Sequence, residues 1–348
     1  MRTGTIIANP DIKEAQFLKK IISTDYYSTE LSNDLQGVEL SGAIKNIYSM
    51  LIGASIGLSG EKIKNCLNSI DPKVKILVVE NSKNNAFKDK FESKYSNLNV
   101  ILSGANLGYG AGNNLGLSKV KTRYALILNP DVILEKNFFE EINNYLDKQI
   151  NFHIMGVNYK DNDKWKSSGI FSEFDSRIKL ENKTKFYSDS LEEVDWVIGC
   201  AMLINLEKFE TRKLFDENIF LYFDEFDLCR RVRIIQGKIY SSKNLIVKHL
   251  GKKGSADSKY PLEFEMLRNW HWMWSTFYYY RKHYSYLYAV YKTYGKLFRS
   301  IFNTLLFIIL FNKKKRTIYY ARTLGIINAM LGKKSWYRIK SLFSDQES

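Results

Sequence analysis

Cysteine, proline and histidine are all scarce in this chain of 348 residues, which contains three, four and four of them. Cys66, Cys200 and Cys229 are odd in number, far apart and set in apolar segments. This pattern argues against a disulfide framework and against a cysteine-based zinc site. It predicts buried free thiols in a reducing compartment.

Long apolar runs are also lacking. Residues 1–20 contain no apolar stretch of signal-peptide length and carry charges of both signs, so we expect the chain to start in the cytoplasm. The apolar run at 301–311 is too short for the ~20 residues that a hydrocarbon core requires. It is expected to lie in a membrane interface without spanning it.

Acidic residues are few in the last part of the chain. Residues 251–348 contain 18 Lys and Arg against 5 Asp and Glu, so +13 of the net charge of +15 lies there. These basic residues are interleaved with aromatic and apolar ones, which favours an anionic membrane surface as partner. A nucleic-acid-binding protein, with phosphate contacts and base stacking, is the less favoured alternative.

From residue 47 onward, apolar strands alternate with amphipathic helices. The pattern predicts strands at 48–54, 74–79, 98–102 and 124–128, and helices at 61–70, 112–119 and 137–146. This alternation indicates a parallel α/β sheet with functional residues at the carboxyl ends of its strands. We expect a lead-in of unknown role at 1–45, a catalytic domain at 46–258, and a helical, basic and aromatic membrane-associating region at 259–348.

Two strand ends could bring metal ligands to the sheet. Asn-Pro-Asp at 129–131 closes an apolar strand, where Asp131 could bind a divalent metal that bridges to a diphosphate. The same tripeptide is also ordinary turn chemistry. His249 ends another apolar strand, and the basic loop after it suits phosphate oxygens.

Three carboxylates, on Asp224, Glu225 and Asp227, precede an apolar helical stripe, where they also suit a helix N-terminus. The aromatic residues 220–223 before them predict a strand-like apolar wall that could tune one carboxylate as a general base. Asp227 and Arg231 are spaced to form an ion pair along a helix.

A dinucleotide fingerprint is absent. Residues 108–113 begin like G-x-G-x-x-G, but the third glycine position is Asn113, and no acidic ribose partner follows about 20 residues later. A Rossmann oxidoreductase is therefore rejected.

Six segments in a fixed order resemble the family 2 glycosyltransferases, in the branch that includes bacterial rhamnosyltransferases and other polysaccharide-building enzymes. They are VVENS at 78–82, NLGYGAGNNLG at 106–116, NPDV at 129–132, DWVIGCAM at 195–202, FDEFDLCRR at 223–231, and His249. The resemblance implies a GT-A fold, which is an α/β, Rossmann-like mixed sheet. The Gln-x-x-Arg-Trp signature of processive synthases is missing, which implies non-processive transfer.

Carried over by position, the resemblance implies a set of site residues. The donor-binding ones are Glu80, Asn81, Asn106, Gly108, Asn114, Asn129 and Asp131. Asp131 and His249 would hold Mg²⁺ or Mn²⁺ on the donor diphosphate. Glu225, with Asp224 beside it, would take the proton from the acceptor hydroxyl. On the sugar or acceptor side the residues are Trp196, Gly199 and Asp227, with a core role for Trp196 as the alternative.

Three departures from the family pattern leave questions open. Residues 55–57 read Ser-Ile-Gly where Thr-Tyr-Asn is usual, and Glu80 replaces an aspartate, so the nucleotide, dTDP or UDP, is not fixed. The order Asp224-Glu225 leaves the base open between the two, with Glu225 preferred. A catalytically inactive scaffold remains an alternative.

The sequence thus predicts an inverting, metal-dependent glycosyltransferase, with rhamnose as a candidate sugar, acting on a lipid-linked glycan or cell-surface polysaccharide such as O-antigen. We expect it to be peripheral to the cytoplasmic face of the bacterial inner membrane. Trp270, Trp274 and Phe277 recur on one helical face and would lie at headgroup level, with core packing as the alternative. Tyrosines at 280, 284, 288 and 291 would continue that face.

Overall fold

The computed structural model describes residues 3–8, 12–22, 27–32, 47–53, 60–161, 164–166, 168–169, 186–188, 190–250 and 261–338. The strands are β1 (Thr3–Ala8), β2 (Tyr27–Ser32), β3 (Ile47–Gly53), β4 (Lys75–Glu80), β5 (Leu98–Leu102), β6 (Tyr124–Leu128), β7 (Val132–Leu134), β8 (Ile154–Asp161), β9 (Lys164–Lys166), β10 (Ser168–Gly169), β11 (Phe186–Ser188), β12 (Leu191–Glu193), β13 (Trp196–Val197), β14 (Ala201–Asn205) and β15 (Ile239–His249). The helices are α1 (Ile12–Ile22), α2 (Gly60–Asn68), α3 (Asn85–Glu92), α4 (Tyr109–Leu117), α5 (Phe138–Asp147), α6 (Asp224–Ile234), α7 (Pro261–His283), α8 (Tyr286–Ile309) and α9 (Lys313–Met330).

The central sheet has the strand order β11-β12-β15-β8-β14-β6-β3-β4-β5 among the described residues. Strands β5, β4, β3 and β6 are parallel to one another, as predicted, whereas β14 is antiparallel to both of its neighbours. The sheet is therefore mixed. Because the chain runs from β3 outward to β5 and then returns to the other side of β3, the crevice beyond β3 and β6 is the topological switch point.

The strands and helices predicted between residues 48 and 146 lie within a few residues of the observed ones, but α3 was not predicted. Every residue of β6 is buried, with Leu126 and Leu128 packing in one apolar cluster and Ala125 and Ile127 in the other. This is the continuous apolar run expected of a strand covered on both faces. The predicted free thiols are confirmed, since all three cysteines are buried and unbridged.

The N-terminal lead-in contains a β-α-β unit. Strands β1 and β2 pair in parallel, with Thr3 opposite Tyr27, and α1 connects them. The sequence offered only weak patterning here and predicted no such unit.

The three C-terminal helices enclose an apolar cluster of their own. Trp270, Trp274 and Phe277 are buried in it against residues of α8 and α9. Their predicted position at a membrane surface is wrong, and the core alternative is correct. The predicted continuous face is also interrupted, because α7 ends at His283 and Ser285 caps a new helix by accepting a hydrogen bond from the Tyr288 amide. Within the described residues, no helix is long and apolar enough to cross a bilayer.

Candidate active site

Two predicted donor-binding residues lie at the carboxyl end of β4. Glu80 is buried, and this burial raises the pKa of its carboxyl group. The Asn81 side-chain amide donates to the carbonyl of Gly108 at 3.3 Å. Its Oδ1 is buried and has no hydrogen-bond partner among the described residues. A buried acceptor of this kind is free to bind a ligand donor group.

The glycine-rich segment is joined to the loop before α6. Asn106 accepts a hydrogen bond from the Gly108 amide at 3.1 Å, and the Tyr109 amide donates to the Phe220 carbonyl at 3.0 Å. Gly108 has φ of +84°, and a Cβ there would collide with the Phe220 carbonyl. Only glycine satisfies both conditions. The amino end of α4 is therefore fixed against the loop that leads into the acidic residues of α6.

The Asn114 side chain joins α4 to residues 215–217. Its side-chain amide donates to the Phe215 carbonyl at 2.9 Å and to Glu217 at 3.1 Å, and its Oδ1 accepts from the Phe215 amide at 2.9 Å. These bonds occupy its polar atoms. Asn114 would therefore shape the donor pocket by holding residues 215–217 in position. The predicted donor-binding role of Asn114 stays a prediction.

Asp131 and His249 are brought together at the sheet edge. Strand β7 pairs antiparallel with β15, with Val132 opposite His249, and His249 Nε2 lies 3.3 Å from Asp131 Oδ1. The Asp131 carbonyl also accepts from the Leu250 amide at 2.9 Å. The Asn129 amide, in the same turn, donates to the Cys200 carbonyl at 2.8 Å.

A carboxylate oxygen and an imidazole nitrogen on adjacent side chains are a ligand set that fits Mn²⁺ or Mg²⁺. Within the described parts of the chain, no group of three or more His, Cys, Asp or Glu could hold a metal ion. The protein thus offers two ligands here. The remaining ligands would be donor phosphate oxygens and water, as is usual for cations that act on diphosphates.

Residues 220–223 do not form the predicted strand. Tyr222 and Phe223 both have φ of +68°, an uncommon conformation for aromatic residues that costs about 1–3 kcal/mol each. Helix α7 holds this loop, because Ser275 donates to the Leu221 carbonyl at 2.8 Å and Arg268 donates to the Tyr222 hydroxyl at 2.9 Å. The two left-handed residues turn the chain so that α6 begins at Asp224.

Asp224 and Glu225 have different surroundings. Asp224 is buried next to Gly110, where a Cβ would lie 2.7 Å from its Oδ1. Burial, followed by the charge of Glu225, raises the pKa of Asp224 well above its usual value. Glu225 remains partly exposed, and burial raises its pKa to about 7. Of the two, Glu225 has both the access and the near-neutral pKa that suit a general base.

Tyr109 is a site residue that sequence reasoning missed. Its hydroxyl donates to the Gly199 carbonyl at 2.5 Å, and a Cβ at Gly199 would lie 3.4 Å from Cδ of Glu225. Burial and then the charges of Glu225 and Asp224 raise the pKa of Tyr109, so its hydroxyl stays protonated and acts as a hydrogen-bond donor. In the sequence, the signal for Tyr109 is its position between Gly108 and Gly110 in the 106–116 segment.

Cys200 lies between the two halves of the site. Burial, then the charges of Asp131 and Glu225, raise the pKa of its thiol to about 12. Both carboxylates are therefore close enough to the turn at 199–200 to act on one thiol electrostatically. The turn joins the candidate metal ligands to the candidate base.

Asp227 is fully buried and paired with the side chains of Arg231, Lys282 and His283. Arg231 Nε, Lys282 Nζ and His283 Nε2 lie 2.9, 2.6 and 2.8 Å from its oxygens. Burial alone would raise its pKa, but the His283 hydrogen bond and the Arg231 and Lys282 charges outweigh it and hold the pKa well below its usual range. The predicted pair with Arg231 is confirmed, whereas the predicted contact with acceptor stays a prediction.

Trp196 packs against Phe226 of α6, with ring centroids 4.8 Å apart, and remains partly exposed. It belongs to the margin of the apolar cluster beneath α6. Core packing and sugar binding are compatible with this position, so both readings of Trp196 stay open.

Comparisons with known proteins find a glycosyltransferase family and several relatives. Residues 60–212 match the family model "Glycosyl transferase family 2". The chain is 29% identical over 194 residues to rhamnosyltransferase WbbL of Escherichia coli (strain K12), covering 50% of this chain and 72% of that protein. It is 27% identical over 186 residues to the low-salt glycan biosynthesis hexosyltransferase Agl10 of Haloferax volcanii, covering 50% of this chain and 58% of that protein.

Further matches are weaker or shorter. The structure of mannosyltransferase PcManGT from Pyrobaculum calidifontis, in complex with GDP-Man and Mn²⁺, aligns with a TM-score of 0.47 at 10% identity, over 83% of this chain and 88% of that one. A match to a glycerol-3-phosphate dehydrogenase of Alcanivorax borkumensis, 43% identical over 67 residues, covers only 19% of each chain. Residues 60–212 are thus similar to the family 2 glycosyltransferases, and the two longer relatives are a rhamnosyltransferase and a hexosyltransferase. The mixed α/β sheet is the kind of sheet that this resemblance implies.

Proposed function

We propose that this glycosyltransferase is inverting and metal-dependent, and that it moves a sugar from a nucleotide-diphosphate-sugar donor to a hydroxyl of a glycan acceptor. The observation that carries the proposal is the turn at 199–200: the Cys200 carbonyl accepts from the backbone amide of Asn129 at 2.8 Å, beside Asp131, and a Cβ on Gly199 would lie 3.4 Å from Cδ of Glu225. A candidate metal ligand and a candidate base thus lie on the two sides of one small site. The names of the relatives make rhamnose or a hexose the candidate sugar. The family resemblance of the sequence motifs makes dTDP or UDP the candidate nucleotide.

The proposed reaction is a single displacement. Glu225 takes the proton from the acceptor hydroxyl while that oxygen bonds to the anomeric carbon, and the bond from that carbon to the diphosphate oxygen breaks. Asp131 and His249 would hold the metal ion, which when bound neutralises negative charge on the leaving diphosphate. Glu80 and Asn81, at the end of β4, would contact the nucleoside. Asp224 lies against Gly110 in the first turn of α4.

The first test is release of nucleoside diphosphate from a panel of UDP-, dTDP- and GDP-linked sugars by the full chain, with Mn²⁺ and with EDTA. We expect Mn²⁺-dependent release from at least one donor. An inactive scaffold would bind a donor, detected as a rise in melting temperature, without releasing product. Residues 55–57, whose unusual sequence permits that alternative, lie outside the described residues.

Asp131→Asn is expected to raise the Mn²⁺ concentration needed for half-maximal activity by about ten-fold or more. The amide keeps the size of the side chain but is a weaker ligand than a carboxylate. Activity should be titrated against Mn²⁺ for both proteins. Glu135→Gln, at an exposed position on the same edge, is the matched control and should behave as wild type. An unchanged Mn²⁺ requirement in Asp131→Asn, or full activity in excess EDTA, would contradict the metal assignment.

The proposal extends to a partner surface, which is an anionic membrane at the cytoplasmic face of the bacterial inner membrane. Supporting it, α8 exposes an apolar side chain every three or four residues along its length: Leu287, Tyr291, Tyr294, Phe298, Ile301, Leu305 and Ile308. The helix contains no acidic residue, and it carries Lys292, Lys296 and Arg299. Pairing of two such helices would bring like charges together, whereas an anionic lipid surface would neutralise them.

The turn between α8 and α9 combines apolar and basic groups. Leu310 and Phe311 are exposed, Phe311 to 94%, and residues 313–316 read Lys-Lys-Lys-Arg. These cations occupy the first turn of α9, where the helix dipole disfavours positive charge. A bound anionic surface would offset that cost, since each nearby Lys or Arg adds about 1 kcal/mol of attraction.

Phe311→Ser is expected to weaken binding to vesicles containing anionic phosphatidylglycerol by roughly ten-fold, because burial of a phenyl ring contributes about 1.5–3 kcal/mol. Co-sedimentation of the full chain measures this. Phe17→Ser, which removes an exposed phenyl ring from α1, is the control and should leave binding unchanged. Equal sedimentation of wild type and Phe311→Ser, or a wild type that does not bind these vesicles, would contradict the membrane proposal.

A further inference from the structure

A cavity of about 400 Å³ lies between α7 and the loop that precedes the candidate base. It is lined by Tyr222, Glu265, Arg268, Asn269 and Trp272. Its volume falls in the range of about 300–1,000 Å³ that is usual for small-molecule sites. We propose that this cavity binds an inner sugar ring of the acceptor, so that the acceptor is a glycan of at least two sugars. The inference rests on the proposed function and names the substrate class of that site.

Trp272 provides an apolar surface for a sugar ring. It is 41% exposed, whereas its helix neighbours Trp270 and Trp274 are buried. Its ring is fixed from two sides, with centroids 5.3 Å from Tyr222 and 5.4 Å from Phe223. A pyranose has an apolar C–H face that can lie against an indole, and a rigid aromatic ring loses little entropy in the contact.

The polar groups of the cavity suit hydroxyl groups better than a phosphate. Glu265 supplies a carboxylate that accepts hydrogen bonds, and Asn269 and Arg268 supply an amide and a guanidinium. Arg268 is oriented by its hydrogen bond to the Tyr222 hydroxyl. The Glu265 carboxylate forms only a long, exposed ion pair with Lys314 at 3.6 Å, so it still places an anion in the lining that a phosphate would approach. Neighbouring sugar hydroxyls, in contrast, need acceptors and donors side by side.

The cavity is connected to the candidate catalytic centre by a row of aromatic rings. Trp272 contacts Phe223, Phe223 contacts Phe226 at 5.6 Å, and Phe226 contacts Trp196 at 4.8 Å between centroids. Tyr222 precedes Glu225 by three residues, which span at most ~11 Å. That reach is comparable with the length of a disaccharide. A glycan held at Trp272 could therefore extend its terminal hydroxyl to Glu225.

The binding test uses the full chain labelled with 5-fluorotryptophan, with the Trp272 signal assigned by Trp272→Phe. The probes are methyl glycosides of rhamnose, glucose, galactose and N-acetylglucosamine, and of disaccharides built from them, with inorganic pyrophosphate as the anionic probe. We expect at least one disaccharide to shift the ¹⁹F signal of Trp272 saturably while the Trp336 signal stays in place. A Trp272 signal that no saccharide moves, or that only pyrophosphate moves, overturns the proposal.

The kinetic test uses the best disaccharide as acceptor. Trp272→Ala is expected to raise the acceptor KM by roughly ten-fold or more, a larger change than in kcat, and Trp272→Phe is expected to retain most of the affinity. Tyr320→Ala, which removes an exposed ring from α9, is the control. An unchanged acceptor KM in Trp272→Ala overturns the proposal. If the wild type releases no nucleoside diphosphate from any donor, the proposed function fails, and the ¹⁹F titration still decides whether the cavity binds a saccharide.

Discussion

Glu225→Gln is expected to lower the rate of sugar transfer by about 10²–10⁴-fold, with folding and donor affinity close to wild type. Glutamine keeps the shape of the side chain beside Gly199 but cannot accept the proton of the acceptor hydroxyl. The rate should be measured under donor and acceptor saturation, and donor affinity by thermal shift. An equal loss of donor affinity would instead assign Glu225 to binding.

The pH profile provides a second readout of the same group. Burial raises the pKa of Glu225 to about 7, and the base acts when deprotonated. The wild-type rate should therefore rise with pH up to about 7 and level off above it, and Glu225→Gln should lack this limb.

Asp224→Asn is the matched variant. Asp224 is buried against Gly110, and an amide of the same shape fills that space, so Asp224→Asn should reduce the rate far less than Glu225→Gln does. If Asp224→Asn is the more damaging of the two, the base is Asp224.

Asp227→Ala is expected to lower the free energy of unfolding by about 3–5 kcal/mol. The change leaves Lys282 and His283 of α7 and Arg231 of α6 without their common buried anion. Urea unfolding of the full chain measures the loss. Glu207→Gln, in an exposed pair with Arg123 at 2.8 Å, is the control and should cost at most about 1 kcal/mol. Similar losses in the two variants would show that the buried cluster is not a special support of the fold.

The stability contributed by Asp227 has a definite pH dependence. Its pKa is lowered in the folded protein, so the contribution is complete above its unfolded value of about 3.9 and is lost as the pH falls toward the folded value. Wild type should therefore lose stability below about pH 4 faster than Asp227→Ala.

The sequence predicted best what local pattern determines. Strands β5 and β6 have their predicted bounds because short apolar runs between turn residues leave few alternatives. The same kind of pattern predicts that Asp131 and His249 lie at strand ends. The family resemblance then assigns both residues to one metal ion. The antiparallel pairing of β7 with β15, which brings them within 3.3 Å, joins strands more than 100 residues apart and has no local signal.

The loop before α6 shows where local pattern misleads. Four aromatic or apolar residues at 220–223 favour a strand by propensity, yet two of them are left-handed. The contacts that hold them come from α7, about 50 residues later. Lys282 and His283, the partners of Asp227 from α7, are equally distant, and no local pattern pairs them with Asp227.

Aromatic periodicity in the C-terminal helices was ambiguous for a different reason. Spacing of three and four residues marks one helix face but does not say what covers it. Trp270, Trp274 and Phe277 are covered by α8 and α9. The same spacing in α8 marks an exposed row, and Trp272, on another face of α7, lines a cavity that periodicity did not indicate.

The most direct test of the central claim, a single displacement with Glu225 as base, is the anomeric configuration of the sugar first released when water replaces the acceptor. ¹H NMR can follow the anomeric proton during donor hydrolysis, before mutarotation mixes the two forms. A single displacement predicts that the sugar appears first with the configuration opposite to that in the donor. Initial release with the donor's own configuration would contradict it.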